Sequence, residues 1–146
     1  MDKRKFEETY REKLRPAFDW DAFESDAWEV RKVRLKLPRD AARVVTPWFP
    51  EGRPQPLSVA EAAANQELIG DERRTLFAHA DELVDGAEIA APAFALGDER
   101  YLILDHNHRA VAAVALERSV SLKLHVVCGP DLSLLPDFEA QLRGER

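Results

Sequence analysis

The densest run of chemistry-bearing side chains is Asp105-His106-Asn107-His108-Arg109, set between the apolar Tyr101-Leu102-Ile103-Leu104 and an equally apolar stretch that begins at Ala110. One capping residue is enough to join a strand to a helix, so five consecutive polar residues call for a further explanation. A helix starting after Asp105 would aim unpaired backbone N–H groups, and the positive end of its dipole, at the turn. His106, Asn107, His108 and Arg109 would add side-chain donors at the same place. Arg109 can hold a phosphate through two parallel hydrogen bonds, and a histidine beside a phosphate gains a proton more readily. The pattern predicts an anion site, with phosphate as the fitting ligand. The plainer alternative is that Asp105 caps the helix and the other side chains point into water.

Elements able to position this turn lie on either side of it. Residues 89–96 have a strand pattern, Gly97-Asp98-Glu99 is a hairpin turn, and residues 101–104 are the returning strand that delivers Asp105. Residues 110–117, rich in Ala, Val and Leu without a polar face, predict a short buried helix. Val120, Leu122, Leu124 and Val126 then alternate with Ser121, Lys123 and His125 as a half-buried strand. Near the start, Phe6, Tyr10 and Leu14 at four-residue spacing predict a helix over 3–15, ended by Pro16. Phe18, Trp20, Phe23 and Trp28 follow and are expected to cover one edge of the core. A strand over 28–37 places Val33, Leu35 and Leu37 on one face, with Arg34 and Lys36 on the other. Val44 and Val45 begin another short strand.

Pro47, Pro50, Gly52, Pro54 and Pro56 mark one Pro/Gly-rich loop, 47–56. It is longer than an ordinary connection, which makes it a candidate to cover a ligand with Trp48, Phe49, Glu51, Arg53 and Gln55. Ser58-Val59-Ala60-Glu61 is a capping box that starts a helix running to about Ile69, with Gly70 at its end. Asp71 caps a second helix whose apolar face carries Leu76, Phe77, Ala80, Leu83 and Val84, with Gly86 as its stop. His79 lies off that face and is expected at a boundary or on the surface. Past Gly129-Pro130, Leu132, Leu134, Leu135 and Phe138 predict a terminal helical turn that packs back.

Tyr-Leu-Ile-Leu-Asp-His-Asn-His-Arg-Ala, followed by Val-Ala-Ala-Val-Ala and the strand 121–127, resembles the signature of the ParB/sulfiredoxin superfamily. The resemblance covers residues 101–127 and extends back to Trp28 by the order of elements; Asp-Gly-His-His-Arg and Asp-Gly-Asn-His-Arg are the motif variants nearest to it. It implies a small α+β domain with a mixed sheet and flanking helices over residues 28–146, preceded by an N-terminal helical extension, 1–27. It also implies that the turn and helix start bind nucleotide phosphates, through His106, Asn107, His108 and Arg109. His108 and Arg109 are the main contacts, and His106 stands where those variants have glycine.

Within that superfamily the chain is most similar to small phosphotransferases that resemble free-serine kinases. In these, the motif aspartate and an acidic residue from an earlier loop or helix position the acceptor hydroxyl and the phosphates, with Mg²⁺. The resemblance thus implies Asp105 and His108 as catalytic residues, ATP or ADP as the nucleotide, Mg²⁺ as the metal and a small hydroxylated molecule as substrate. Glu51 is the candidate for the second acid, ahead of Glu61, which already serves the capping box. Sulfinic-acid repair is not expected, because sulfiredoxins need a cysteine where this chain has Asn107. The helix-turn-helix of chromosome-partitioning members is not expected either, since the chain ends at Arg146, shortly after Val127. Two other functions stay open. One is a non-catalytic binding, regulatory or immunity protein with a protein partner. The other is a metal-dependent nuclease, since Asp-His-Asn-His is similar to the histidine turns of HNH-type nucleases. The helix after the turn offers that chemistry no further metal ligand, and a zinc site from His106, His108 and His125 has a spacing common by chance.

Composition narrows the classes further. A formal charge of −6 disfavours non-specific nucleic-acid binding, which depends on Lys and Arg neutralising phosphates. Cys128 is the single cysteine, so neither an intrachain disulfide nor a multi-cysteine zinc site is available. No apolar run is long enough to span a membrane and no signal-peptide core is present, so a cytoplasmic protein without a membrane partner is expected.

Overall fold

The computed structural model describes residues 1–69 and 82–144. Asp2 opens α1 (Lys3–Tyr10) by accepting from the Lys5 amide at 2.8 Å, and Asp19 opens the short α2 (Trp20–Phe23) by accepting from Ala22 at 3.0 Å. The elements that follow are β1 (Glu29–Leu37), a 3₁₀ turn (Ala41–Arg43), β2 (Val44–Val45), α3 (Val59–Ala64), β3 (Glu88–Gly97), β4 (Arg100–Ile103), α4 (Asn107–Ala115), β5 (Val120–Cys128) and α5 (Pro136–Leu142).

The strands form one mixed five-stranded sheet in the order β1-β5-β3-β4-β2, so the domain is α+β. β5 lies antiparallel to β1 and parallel to β3, while β4 lies antiparallel to β3 and parallel to β2. Alternation along the strands sends Leu35, Leu37, Leu122, Leu124 and Val126 to a core shared with Val59 and Ala62 of α3 and the alanines of α4. Val127, Phe94, Leu102 and Leu104 belong to a second core with Phe6 and Tyr10 of α1, Phe23 of α2, and Leu134, Leu135 and Phe138 near and on α5. Helices therefore cover both faces of the sheet. The first 27 residues supply part of the second core, and Trp28 closes over Gly129, where a Cβ would stand 2.0 Å from the indole.

The expected strands appear, and the hairpin turn has positive φ at Gly97, Asp98 and Glu99. Several boundaries differ. The first helix stops at Tyr10, not Arg15, and the Arg15 amide leaves to donate to Leu104 O at 2.9 Å. The third stops at Ala64, where Asn65 leaves helical geometry (φ −132°, ψ 64°) and its side-chain amide donates to Glu61 O, and a 3₁₀ turn follows over 66–69. Val84, expected on an apolar face, is 60% exposed, whereas its neighbour Leu83 is fully buried. Asp71, Leu76, Phe77, His79 and Ala80 lie outside the described residues. The strand expected to be half-buried, β5, also buries His125 and Val127 on its second face, under the N-terminal segment.

Candidate functional site

β4 delivers the turn through two backbone hydrogen bonds at Leu104. Its amide donates to Pro92 O and its carbonyl accepts from Arg15, each at 2.9 Å. The chain then turns sharply at His106, which adopts the left-handed conformation (φ 65°, ψ 27°) and precedes the first helical residue, Asn107. A non-glycine residue held there stores about 1–3 kcal/mol, and histidine is among the side chains more often found in this region.

Asp105 does not cap α4. The residue before the first turn is His106, whose side chain makes no cap hydrogen bond. The Asp105 carboxylate instead faces Arg15 Nε at 3.5 Å and His106 Nε2 at 3.6 Å. Asn107 is buried and turns its amide back to Ile103 O at 3.3 Å, tying α4 to β4. Its Oδ1 is buried without a hydrogen-bond partner among the described residues, and so is Nε of Arg109, which lies 3.7 Å from Glu82 Oε2.

Asp105, His106, Asn107, His108 and Arg109 line one cleft of about 580 Å³ together with Arg15, Pro47, Trp48 and Glu82. That volume suits a small-molecule ligand. The Trp48 ring lies 5.1 Å from that of His108 and gives the cleft an aromatic wall. The wall is fixed at the base of the Pro-rich loop. Buried Thr46 donates to Leu57 O through both its amide and its hydroxyl at 2.8 Å, and Leu57 donates to Trp48 O at 2.9 Å.

The two acids proposed to assist Asp105 are not at the cleft. Glu51 is exposed in the turn of the loop and does not line it. Glu61 completes the capping box with Ser58 and takes Arg53 at 2.9 Å, and the Arg53 and Ser58 hydrogen bonds hold its carboxyl below the ordinary range. Phe49 packs on Phe138 instead of facing the cleft. His125 is also elsewhere, with Nδ1 2.9 Å from the Tyr10 hydroxyl, and no group of three or more His, Cys, Asp or Glu able to hold a metal occurs among the described residues.

Arg15 and Glu82 reach the cleft without any local pattern announcing them. Pro16 marks Arg15 only as the end of a helix, and long-range packing brings it to Asp105. A wider open groove of about 1000 Å³ runs along α1, but Arg4–Glu8 and Arg11–Glu7 pair across its surface as ordinary i,i+4 ion pairs of a solvated helix. The 105–109 cleft, with its uncapped helix start, is the better site. No helix among the described residues is long and apolar enough to cross a membrane. No family model matches the chain, and no curated protein or solved structure matches it either.

Proposed function

We propose that the chain is a nucleotide-dependent phosphotransferase or hydrolase acting on a small hydroxylated substrate, on a cytoplasmic domain of ParB/sulfiredoxin type. The observation that carries this reading is the start of α4, which no side chain among the described residues caps and which opens on a cleft lined by Arg15, His106, His108 and Arg109. Amides left without a side-chain cap among the described residues, a helix dipole and the two arginines of the cleft together favour phosphate. The left-handed backbone at His106 is also what a glycine in that motif position would adopt without strain.

In the transfer, an acceptor hydroxyl attacks the terminal phosphorus, its proton passes to Asp105, and the bond from phosphorus to the bridging oxygen breaks toward the nucleoside diphosphate. Water in place of the hydroxyl makes the same step a hydrolysis. Glu82 replaces Glu51 as the second acid, being the other carboxylate that lines the cleft among the described residues. Mg²⁺ carried with the phosphates would be held by Glu82, neutralising charge on the transferring group.

Calorimetric titration with ATP, ADP and CTP, each with Mg²⁺, tests the proposal. Wild type should bind at least one of them and Arg109→Ala should lose most of the affinity; absence of binding, or equal binding by the variant, removes its basis. One observation favours a non-catalytic binding module instead, namely that Asp105 and Glu82 already face Arg15 and Arg109. That alternative predicts nucleotide binding without turnover of any hydroxylated acceptor.

A further inference from the structure

We propose that Arg15 is a phosphate-binding residue which Asp105 holds until an anion takes its place, so that ligand binding is what frees the Asp105 carboxylate. This rests on the phosphate reading of the cleft and adds to it a residue from outside the turn.

Arg15 is anchored by its backbone and loose at its tip. Its amide donates to Leu104 O at 2.9 Å, one residue before Asp105, so its Cα is fixed at the mouth of the cleft. The following Pro16 holds this stretch away from helical geometry. The side chain is 74% exposed, whereas that of Asp105 is only 11% exposed, which sets the cation at the rim and the carboxylate on the floor.

The contact between them is weak by its own geometry. At 3.5 Å from Nε to Oδ1 it is longer than a strong charge-assisted hydrogen bond, and a pair with one partner in water contributes little. A guanidinium carries five donors in a fork that matches phosphate, and a phosphate offers more charge and more acceptors than one carboxylate. Arg15 also borders a second hollow of about 300 Å³ with Pro47 and Trp48, so its side chain has room on either side of its present position.

The other charged and titratable groups around Asp105 do not substitute for Arg15. His106 Nε2 lies 3.6 Å from the carboxylate, and the Tyr10 phenol lies close enough that Asp105 helps to raise its pKa, after burial. Neither is a permanent cation. Arg109 faces Glu82. Among the described residues Arg15 is therefore the arginine at Asp105, and an arriving phosphate competes with that carboxylate for it.

The test is calorimetry with Mg-ATP, Mg-ADP and AMP on the full chain, using Arg15→Gln, Arg15→Lys, Asp105→Asn and the Arg15→Gln/Asp105→Asn double variant. Arg15→Gln should weaken Mg-ATP by about tenfold, with AMP affected less, and Arg15→Lys should recover part of the loss. Asp105→Asn should tighten Mg-ATP, and the gain should disappear in the double variant. Arg15→Gln binding Mg-ATP like wild type, or an Asp105→Asn gain that survives in the double variant, overturns the proposal. If either occurs while Arg109→Ala still abolishes binding, Arg15 alone is refuted and the phosphate site stands. If wild type binds none of the three, both fall together. The exposed Arg15 side chain makes its single variants compatible with folding, with thermal midpoints within a few degrees of wild type, and Asp105→Asn keeps the shape of the buried side chain.

Discussion

The Tyr10 hydroxyl stands 2.9 Å from Nδ1 of His125 and joins α1 to β5 inside the second core. Burial, followed by the charges of Lys123, the amino terminus and Lys32, lowers the pKa of His125, while burial and then Asp105 raise that of Tyr10. Both groups are thus held neutral, and a single proton is shared between the phenol oxygen and Nδ1.

A linkage follows from the lowered value. The folded chain keeps His125 neutral, whereas the unfolded chain takes up a proton at the ordinary 6.5. Stability is therefore present above that pH and is lost as pH falls below it. Urea unfolding between about pH 7.5 and 5.5 should show stability declining, with a shallower decline in His125→Gln. Tyr10→Phe should cost about 1–3 kcal/mol, because it leaves Nδ1 buried without its hydrogen-bond partner. An unchanged pH slope in His125→Gln would assign the effect to other groups.

Asp40 carries a linkage of the same sign at lower pH. Its carboxylate takes the Lys36 amide at 2.8 Å, Arg39 at 3.0 Å and Arg43 at 3.3 Å, while Arg43 also lies over the Tyr101 ring of β4. The Lys36 amide, and then the Arg39 hydrogen bond and the two arginine charges, hold its pKa below the ordinary 3.8 against the effect of burial. This stabilisation is complete above that value and is lost as pH falls through the lower folded value. Asp40→Asn should cost about 1–3 kcal/mol at neutral pH, with the difference from wild type shrinking in acid. Equal stability at neutral pH would refute it.

Gly129→Ala tests the second core at its edge. The added methyl meets the buried Trp28 ring at 2.0 Å, where the obstacle is a fixed indole and not a movable side-chain tip. About 1–3 kcal/mol of destabilisation is expected, with a change in tryptophan emission. An unchanged thermal midpoint would mean that the indole moves aside freely.

What could be seen from the residues alone follows physical range. Ser58 and Glu61 satisfy each other within one helical turn, and the Gly97-Asp98-Glu99 hairpin turn is equally local, so both were legible as patterns. So was the polar block at 105–109, because it interrupts two apolar elements. Arg15 was not, since its place depends on one amide bonding across the fold to Leu104. Glu82 reaches the cleft only through tertiary packing, and Glu51, chosen for its loop, turned outward. The plainer alternative for Asp105, a helix cap, fails because His106 takes the left-handed conformation and becomes the residue before the helix, which composition cannot show.

His106 offers the sharpest discrimination between backbone and side chain at the site. Glycine reaches its φ of 65° without the Cβ penalty, yet gives the unfolded chain more freedom, so His106→Gly should change stability by no more than about 1 kcal/mol. It also removes an imidazole from the turn that leads into the α4 amides. If those amides are the main phosphate donors, nucleotide affinity is kept or increased, and the contact with Asp105 is lost without harm. Parallel titrations of Mg-ATP into wild type and His106→Gly, with thermal melts of both, provide the measurement. A tenfold loss of affinity with stability intact would move the phosphate contact from the backbone to the imidazole.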